Sequence, residues 1–160
     1  MACAAGGTSQ ATMATGRRSG EANALHCLGT TQRLKGDYDS AGEAVEAALE
    51  IYHSIGDSGG EAEALNEAGT LYRIRERIDR AEASHKAALE LARTIDSTWD
   101  EAHALAGLGR CAQARQRTSA ARTYLQQAEE TFRKINAPEA ATITAELGSL
   151  TKAEQPTIDP

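Results

Sequence analysis

Glu21-Ala22-Asn23-Ala24-Leu25-His26-Cys27-Leu28-Gly29 is met twice more along the chain, as Glu61-Ala62-Glu63-Ala64-Leu65-Asn66-Glu67-Ala68-Gly69 and as Glu101-Ala102-His103-Ala104-Leu105-Ala106-Gly107-Leu108-Gly109, at a constant offset of 40 residues. The register continues beyond each copy. Ala41, Ala81 and Ala121 align, as do Ala48, Ala88 and Ala128, then Glu50, Glu90 and Glu130, and finally Ile55, Ile95 and Ile135. Self-similarity at such a period marks a repeat architecture in which each unit is one supersecondary element that buries its apolar face against its neighbours.

Inside a unit the apolar residues recur at three- and four-residue steps, which describes two amphipathic helices and no strand. In the first unit the helices are expected over about Glu21 to Leu34 and Tyr38 to Ile55. Gly36 stops the first and Asp37 caps the second. Ser58-Gly59-Gly60-Glu61 and Thr98-Trp99-Asp100-Glu101 have capping-box spacing, so Ser58 and Thr98 are the expected caps there. Ala24, Gly29, Ala41, Ala48 and their counterparts fall where paired helices cross, and their small size lets the backbones approach. The reading is an all-α, right-handed α-solenoid of three helix-turn-helix repeats at about 20–59, 60–98 and 99–137.

A repeat array must cover its terminal faces. Pro138 suits a first helical turn, and Ala140, Ala141, Ile143, Thr144, Leu147 and Leu150 make one apolar stripe, giving a C-terminal capping helix over 138–152 and a domain over 20–152. Residues 1–19, almost without large apolar side chains, and 153–160 are expected to be disordered tails. The first helix is left with an open flank. Either the chain ends a longer array, or that flank takes a partner or a second copy.

The unit resembles the tetratricopeptide repeat, in which a large residue, Leu-Gly and an aromatic on the first helix are followed by Ala and a large apolar residue on the second. Those places hold Leu25, Leu28, Gly29, Gln32, Ala41 and Val45; then Leu65, Ala68, Gly69, Tyr72, Ala81 and His85; then Leu105, Leu108, Gly109, Ala112, Ala121 and Leu125. The aromatic is kept only as Tyr72, His85 stands at a core place, and the period is 40 rather than about 34. That long period resembles the repeats of MalT-like and NB-ARC regulators. The stretch from Trp99 to Arg110, with Ile135 to Ala140 downstream, is similar to the last repeats of actinobacterial regulators of the AfsR/SARP type.

Stacked helix pairs curl so that the first helix of each pair lines the concave side. The side chains on those helices that lie off the packing stripe are Asn23, His26, Thr30 and Arg33, then Glu63, Asn66, Thr70 and Arg73, then His103, Ala106, Arg110 and Gln113. The resemblance implies that these places form a groove for a protein or peptide segment. Arg33 and Arg73 repeat in register, with Arg110 one turn short of it, so a line of guanidinium groups could grip carboxylates or backbone carbonyls. Pairing of the same arginines with Glu63 and Glu67 is the competing expectation. The lysine- and asparagine-based carboxylate clamp of the chaperone-tail-binding members has no lysine here. A regulatory or scaffold module is therefore expected, with a receptor for a short signalling peptide or small ligand, or an oligomerisation piece using the first helix, as alternatives.

Catalysis is not expected. Gly56-Asp57-Ser58-Gly59-Gly60 spells the nucleophile loop of chymotrypsin-like proteases, but it falls between two helical repeats and lacks the β-barrel setting of that chemistry. His26, His53, His85 and His103 are spread over three units with no pair at one-turn spacing, so no metal is expected; no phosphate-binding loop is present, so no cofactor is expected either. Cys3, Cys27 and Cys111 have no metal-like spacing and read as idle thiols. With 23 acids against 17 Lys and Arg scattered along the chain, direct nucleic-acid binding is disfavoured. No run approaches membrane-spanning length and no secretory leader is legible, which makes the expected setting cytoplasmic.

Overall fold

A computed structural model describes residues 5–154, and every element in them is helical: α1 (Ala5–Leu34), α2 (Tyr38–Ile55), α3 (Ser58–Ile74), α4 (Ile78–Thr94), α5 (Thr98–Ala114), α6 (Thr118–Lys134) and α7 (Glu139–Glu154). The all-α solenoid with a closing helix is therefore what the chain forms. Residues 1–4 and 155–160, with Cys3 and the outer parts of the two tails expected to be disordered, lie outside the described residues. One boundary differs from expectation. α1 starts at Ala5 rather than near Glu21, so the tail expected over 1–19 is helix from Ala5 onward. The alanines of this stretch favour helix, yet residues 11–18 are all exposed, so it extends beyond the packed repeats.

The turns are more regular than the sequence repeat. α1 to α6 each end at a residue in the left-handed region, and these stand 20 apart: Gly36, Gly56, Glu76, Asp96, Gln116 and Asn136. Glycine does this without a Cβ penalty, whereas Glu76 and Gln116 hold the same conformation at a cost. The next residue begins the following helix. Asp37 accepts from Ser40 N–H, Asp57 from Gly60 N–H and Ser97 from Asp100 N–H, while Arg77 and Arg117 cap with no side-chain bond. This corrects the expected caps. Ser58 and Thr98 are the first helical residues, and the capping oxygens belong to Asp57 and Ser97, because the left-handed turn ends one residue earlier than the box pattern implies. Asp57→Ala should accordingly lower stability by about 1 kcal/mol and Ser58→Ala by a few tenths at most, as read from urea denaturation midpoints.

Each pair closes on its glycine. A Cβ on Gly29 would lie 2.6 Å from Val45 Cγ2, one on Gly69 2.6 Å from His85 Nε2, and one on Gly109 2.7 Å from Leu125 Cγ. Ala41, Ala48, Ala81, Ala88, Ala121 and Ala128 are fully buried at the same crossings. The expected small residue Ala24 is exposed, although its counterparts Ala64 and Ala104 are buried. These places meet the preceding unit, and the first unit has none in the structure. Leu28, 47% exposed where Ala68 is 5% exposed, repeats the point. The open flank on α1 is thus real in the described residues.

α1 contacts α3 and α3 contacts α5, whereas α2, α4 and α6 meet one another far less. First helices packed on first helices, with the second helices splayed outside, bend the stack toward α1, α3 and α5. Arg75 to Asp39 and Arg115 to Asp79 are ion pairs in register that tie successive units on the outside. At the far end, Ile143 and Leu150 of α7 are buried and Ala140 and Leu147 pack beside them, while Ala141 and Thr144 of the expected stripe face outward. Among the described residues no helix is long and apolar enough to cross a membrane.

Candidate functional site

The concave layer carries a cavity of about 280 Å³ lined from α1 by His26, from α3 by Glu63, Asn66, Glu67 and Thr70, from α4 by His85, and from α5 by Trp99, Asp100, His103, Gly107 and Arg110. A shallower depression beside it is lined by Arg73, Arg110, Gln113, Ala114 and Glu146. Of the twelve residues placed in the groove from sequence, His26, Glu63, Asn66, Thr70, His103 and Arg110 line the first hollow, and Arg73 and Gln113 the second. Asn23, Thr30 and Arg33 line neither, and Ala106 is buried in the core.

The cavity has a cause in the register. Positions 52, 92 and 132 are equivalent, and they hold Tyr52, Ala92 and Phe132. Tyr52 donates from its hydroxyl to Asn23 Oδ1 at 2.7 Å, and the Phe132 ring meets the edge-on His103 ring at 5.0 Å. Each of these aromatics therefore meets the third residue of the repeated motif in its own unit. In the middle unit that place holds Ala92, and no ring stands there to meet Glu63. Burial, with the charges of Glu63 and Asp57 after it, raises the Tyr52 phenol to about 12, so it stays a donor to Asn23 and consumes that side chain.

His85 fills the core place that Val45 and Leu125 fill in the other units. Its ring lies between Gly69 and Gly107, where a Cβ on Gly107 would come within 2.3 Å of it. Asn66 Nδ2 donates to the Asp100 carbonyl at 3.1 Å, which turns Asn66 Oδ1 toward His85 Nδ1 at 3.2 Å. That relay puts the imidazole proton on Nδ1 and leaves Nε2, buried and without a hydrogen-bond partner, as a bare acceptor. Burial first, then the positive charges of Arg73 and Arg110, lowers His85 to about 4. The ring is neutral.

The acids tell the same story from the other side. Burial first, then Asp100, raises the Glu63 carboxyl, with His26 opposing. His26 Nδ1 is 3.8 Å from Glu63 Oε2, too far for a hydrogen bond. Asp100 is buried and accepts from Ser97 Oγ at 2.5 Å. Trp99 flanks the cavity, its ring 4.6 Å from that of His103, and burial lowers His103, whose Nε2 is buried without a partner.

The expected line of arginines is mostly spoken for. Arg33 Nε donates to Glu67 Oε1, and Arg110 donates three times to Glu146, with Nη2 to Oε1 at 2.7 Å. Arg73, the register-mate of Arg33, has no such partner among the described residues, because the register-mate of Glu67 is Gly107. Local pairing thus takes Arg33 and Arg110, and the guanidinium row expected to meet carboxylates is reduced to Arg73. Sequence reasoning missed His85, Trp99, Asp100 and Gly107 as lining residues. Three of them break the repeat at places their register-mates keep ordinary, and that irregularity was the available signal.

Three of the four histidines converge on the cavity wall, while His53 lies outside on α2 beside Glu61. Among the described residues no three His, Cys, Asp or Glu side chains are grouped so as to hold a metal ion. Cys111 is buried, with its thiol raised by burial, and Cys27 is exposed.

Comparison with known proteins bears on the family and the fold. The profile of the tetratricopeptide repeat family matches residues 20–94 and, overlapping them, 61–134. No curated protein matches the chain at a significant level. Among solved structures, the apo form of RapI superposes with a TM-score of 0.78 at 14% identity, covering 84% of this chain and 50% of RapI. A Rap protein complexed with competence and sporulation factor gives 0.79 at 17%, covering 82% of this chain and 37% of that one. The first tetratricopeptide domain of Spaghetti bound to an HSP90 peptide gives 0.65 at 20%, covering 84% and 94%. The chain therefore spans half or less of the Rap proteins it matches, and at these identities the likeness is one of fold.

Proposed function

The chain belongs to the tetratricopeptide repeat family, and from that premise we propose that it is a non-catalytic module holding a protein or peptide segment in its concave groove. The observation that carries this reading is convergence: side chains from α1, α3 and α5, far apart in sequence, line one hollow on the inner face. The proposed groove comprises Asn23, His26, Thr30, Arg33, Glu63, Asn66, Thr70, Arg73, His103, Arg110 and Gln113. Asn23 and Arg33 support its wall through Tyr52 and Glu67. Stacked repeats leave such extended concave surfaces as their binding faces. We read the module, from the resemblance of its long period to regulator repeats, as a regulatory or scaffold part of a bacterial transcriptional regulator acting in the cytoplasm.

A second reading, a receptor for a short signalling peptide or small ligand, draws on the small cavity and on the likeness to a Rap protein solved with competence and sporulation factor. A third, self-association through α1, draws on exposed Leu28; a mass that rises with concentration in light scattering would favour it.

The groove is tested by selecting binders from a displayed random-peptide library on the wild-type chain. Arg73→Glu combined with Thr70→Tyr should weaken the selected peptides at least tenfold, while Glu50→Lys on the outer face leaves them unchanged. Equal binding by the groove variant, with helicity intact by circular dichroism, rejects the reading.

A further inference from the structure

We propose that the cavity over Glu63 is a subsite for a basic side chain, lysine or arginine, presented by the segment that lies in the groove. The proposal rests on the groove reading and adds the chemistry of what enters it.

The charged groups lining the cavity that have no Lys or Arg partner are carboxylates. Glu63 and Asp100 supply carboxylates, and no Lys or Arg lies within ion-pair distance of either among the described residues. Arg110, the one arginine lining the hollow, is committed to Glu146, and Arg33 to Glu67; Arg73, in the depression beside it, is the single neighbouring cation without an ion-pair partner among the described residues. His85, 2% exposed, adds the lone pair of Nε2, since the Asn66 relay fixes its proton on the opposite nitrogen. That orphaned acceptor is independent of the acids, and a buried acceptor without a donor costs free energy until one arrives.

A second independent feature is aromatic. Trp99 stands at the cavity edge, 44% exposed. A tryptophan face attracts a cation, and a guanidinium also stacks on it. An acidic side chain entering here would meet Glu63, Asp100 and the bare Nε2 of His85, all of which repel it. An apolar side chain would leave the same acceptors dry and unpaired. A cationic donor alone answers each of them, and the missing ring at Ala92 is what lets it reach Glu63.

Trp99 is the only tryptophan, so it reports the site directly. The full chain is titrated, with its fluorescence recorded, against four capped pentapeptides of alanine whose central residue is arginine, lysine, norleucine or glutamate. The expected result is saturable quenching by the arginine and lysine peptides, at least tenfold tighter than norleucine or glutamate, and loss of that preference in Glu63→Gln. Glu63 is half exposed, so this variant keeps the fold, and circular dichroism checks it. Stronger binding of arginine than lysine identifies stacking on Trp99 as part of recognition, and Trp99→Leu should then level the two. Equal quenching by all four peptides, or an unchanged preference in Glu63→Gln, overturns the subsite and leaves the groove reading intact. Absence of quenching by all four peptides also overturns it; the groove reading falls with it only if library peptides ignore the Arg73→Glu, Thr70→Tyr variant as well.

Discussion

Acidification from pH 7 to pH 4 is expected to remove about 3 kcal/mol of folding stability through His85 alone. The ring titrates near 6.5 when unfolded and near 4 when folded, because charging it would strand an imidazolium between Gly69 and Gly107 with Arg73 and Arg110 nearby. Between those two values the unfolded chain binds a proton that the folded chain refuses. Stability therefore is fully present above about pH 6.5, falls as the pH drops through the interval, and levels off below about pH 4. His103, also lowered by burial, acts in the same direction. Glu63, raised by burial and Asp100, acts in the opposite sense at the acid end. Urea denaturation at several pH values on wild type and His85→Leu isolates the effect. Leucine matches Leu125 in register, so the variant should lose most of the decline between pH 6.5 and 4; a parallel decline in both proteins would sink the assignment.

The repeat itself was legible because its glycines and alanines are forced by close approach. Gly29, Gly69 and Gly109 recur since a Cβ at any of them would strike the partner helix. The turn at Lys35, Gly36 and Asp37 could be read as well, since Gly36 takes the left-handed position and Asp37 carries a capping oxygen. The caps at Asp57 and Ser97 are one residue earlier than expected, although Gly56 marks the left-handed turn before Asp57, because the box spacing to Glu61 and Glu101 points to Ser58 and Thr98. The helix over 5–19 was hidden for a different reason: its residues 11–18 are exposed, so no apolar stripe marks it and local propensity is the signal that speaks for it. Eight of the twelve groove positions line the two concave hollows because helical spacing dictates which way they point. What spacing does not carry is electrostatic pairing across units, such as Arg110 with Glu146 of α7, since that depends on how the closing helix docks. The character of the cavity was written in departures from the repeat, Ala92 for an aromatic, Gly107 for Glu67 and His85 for a large apolar residue. A reading that looks for sameness passes over such places.

Phe132→Ala should cost about 3–5 kcal/mol, the largest loss expected from any single substitution in the chain. Phe132 is the only phenylalanine and is 1% exposed, and it belongs to the apolar cluster formed by Leu105, Ala128, Ala137, Ile143 and Leu150. Many of its neighbours are alanines, whose short side chains cannot swing into the space that the ring vacates. The cavity therefore persists, and its cost adds to the lost transfer free energy. The ring also meets His103 at 5.0 Å and Trp99 at 6.1 Å, edge to face in both cases, and such pairs contribute beyond their burial. His85 explains why the damage should stay on one side. Its polar seat lies between Gly69 and Gly107, and the apolar residues on the other side of it form clusters of their own, Ala22, Ala48, Ile51, Tyr52 and Ala64 in one and Ala41, Val45, Ala68 and Leu71 in another. Units held by nearest-neighbour contacts lose stability locally, and α7, which shares the cluster of Phe132 through Ile143 and Leu150, should open first. Hydrogen exchange on Phe132→Ala is expected to show protection lost in α7 and α6 while α1 to α3 keep theirs, with the urea midpoint falling in step. Uniform loss of protection along all seven helices would mean that the core is continuous across His85 after all.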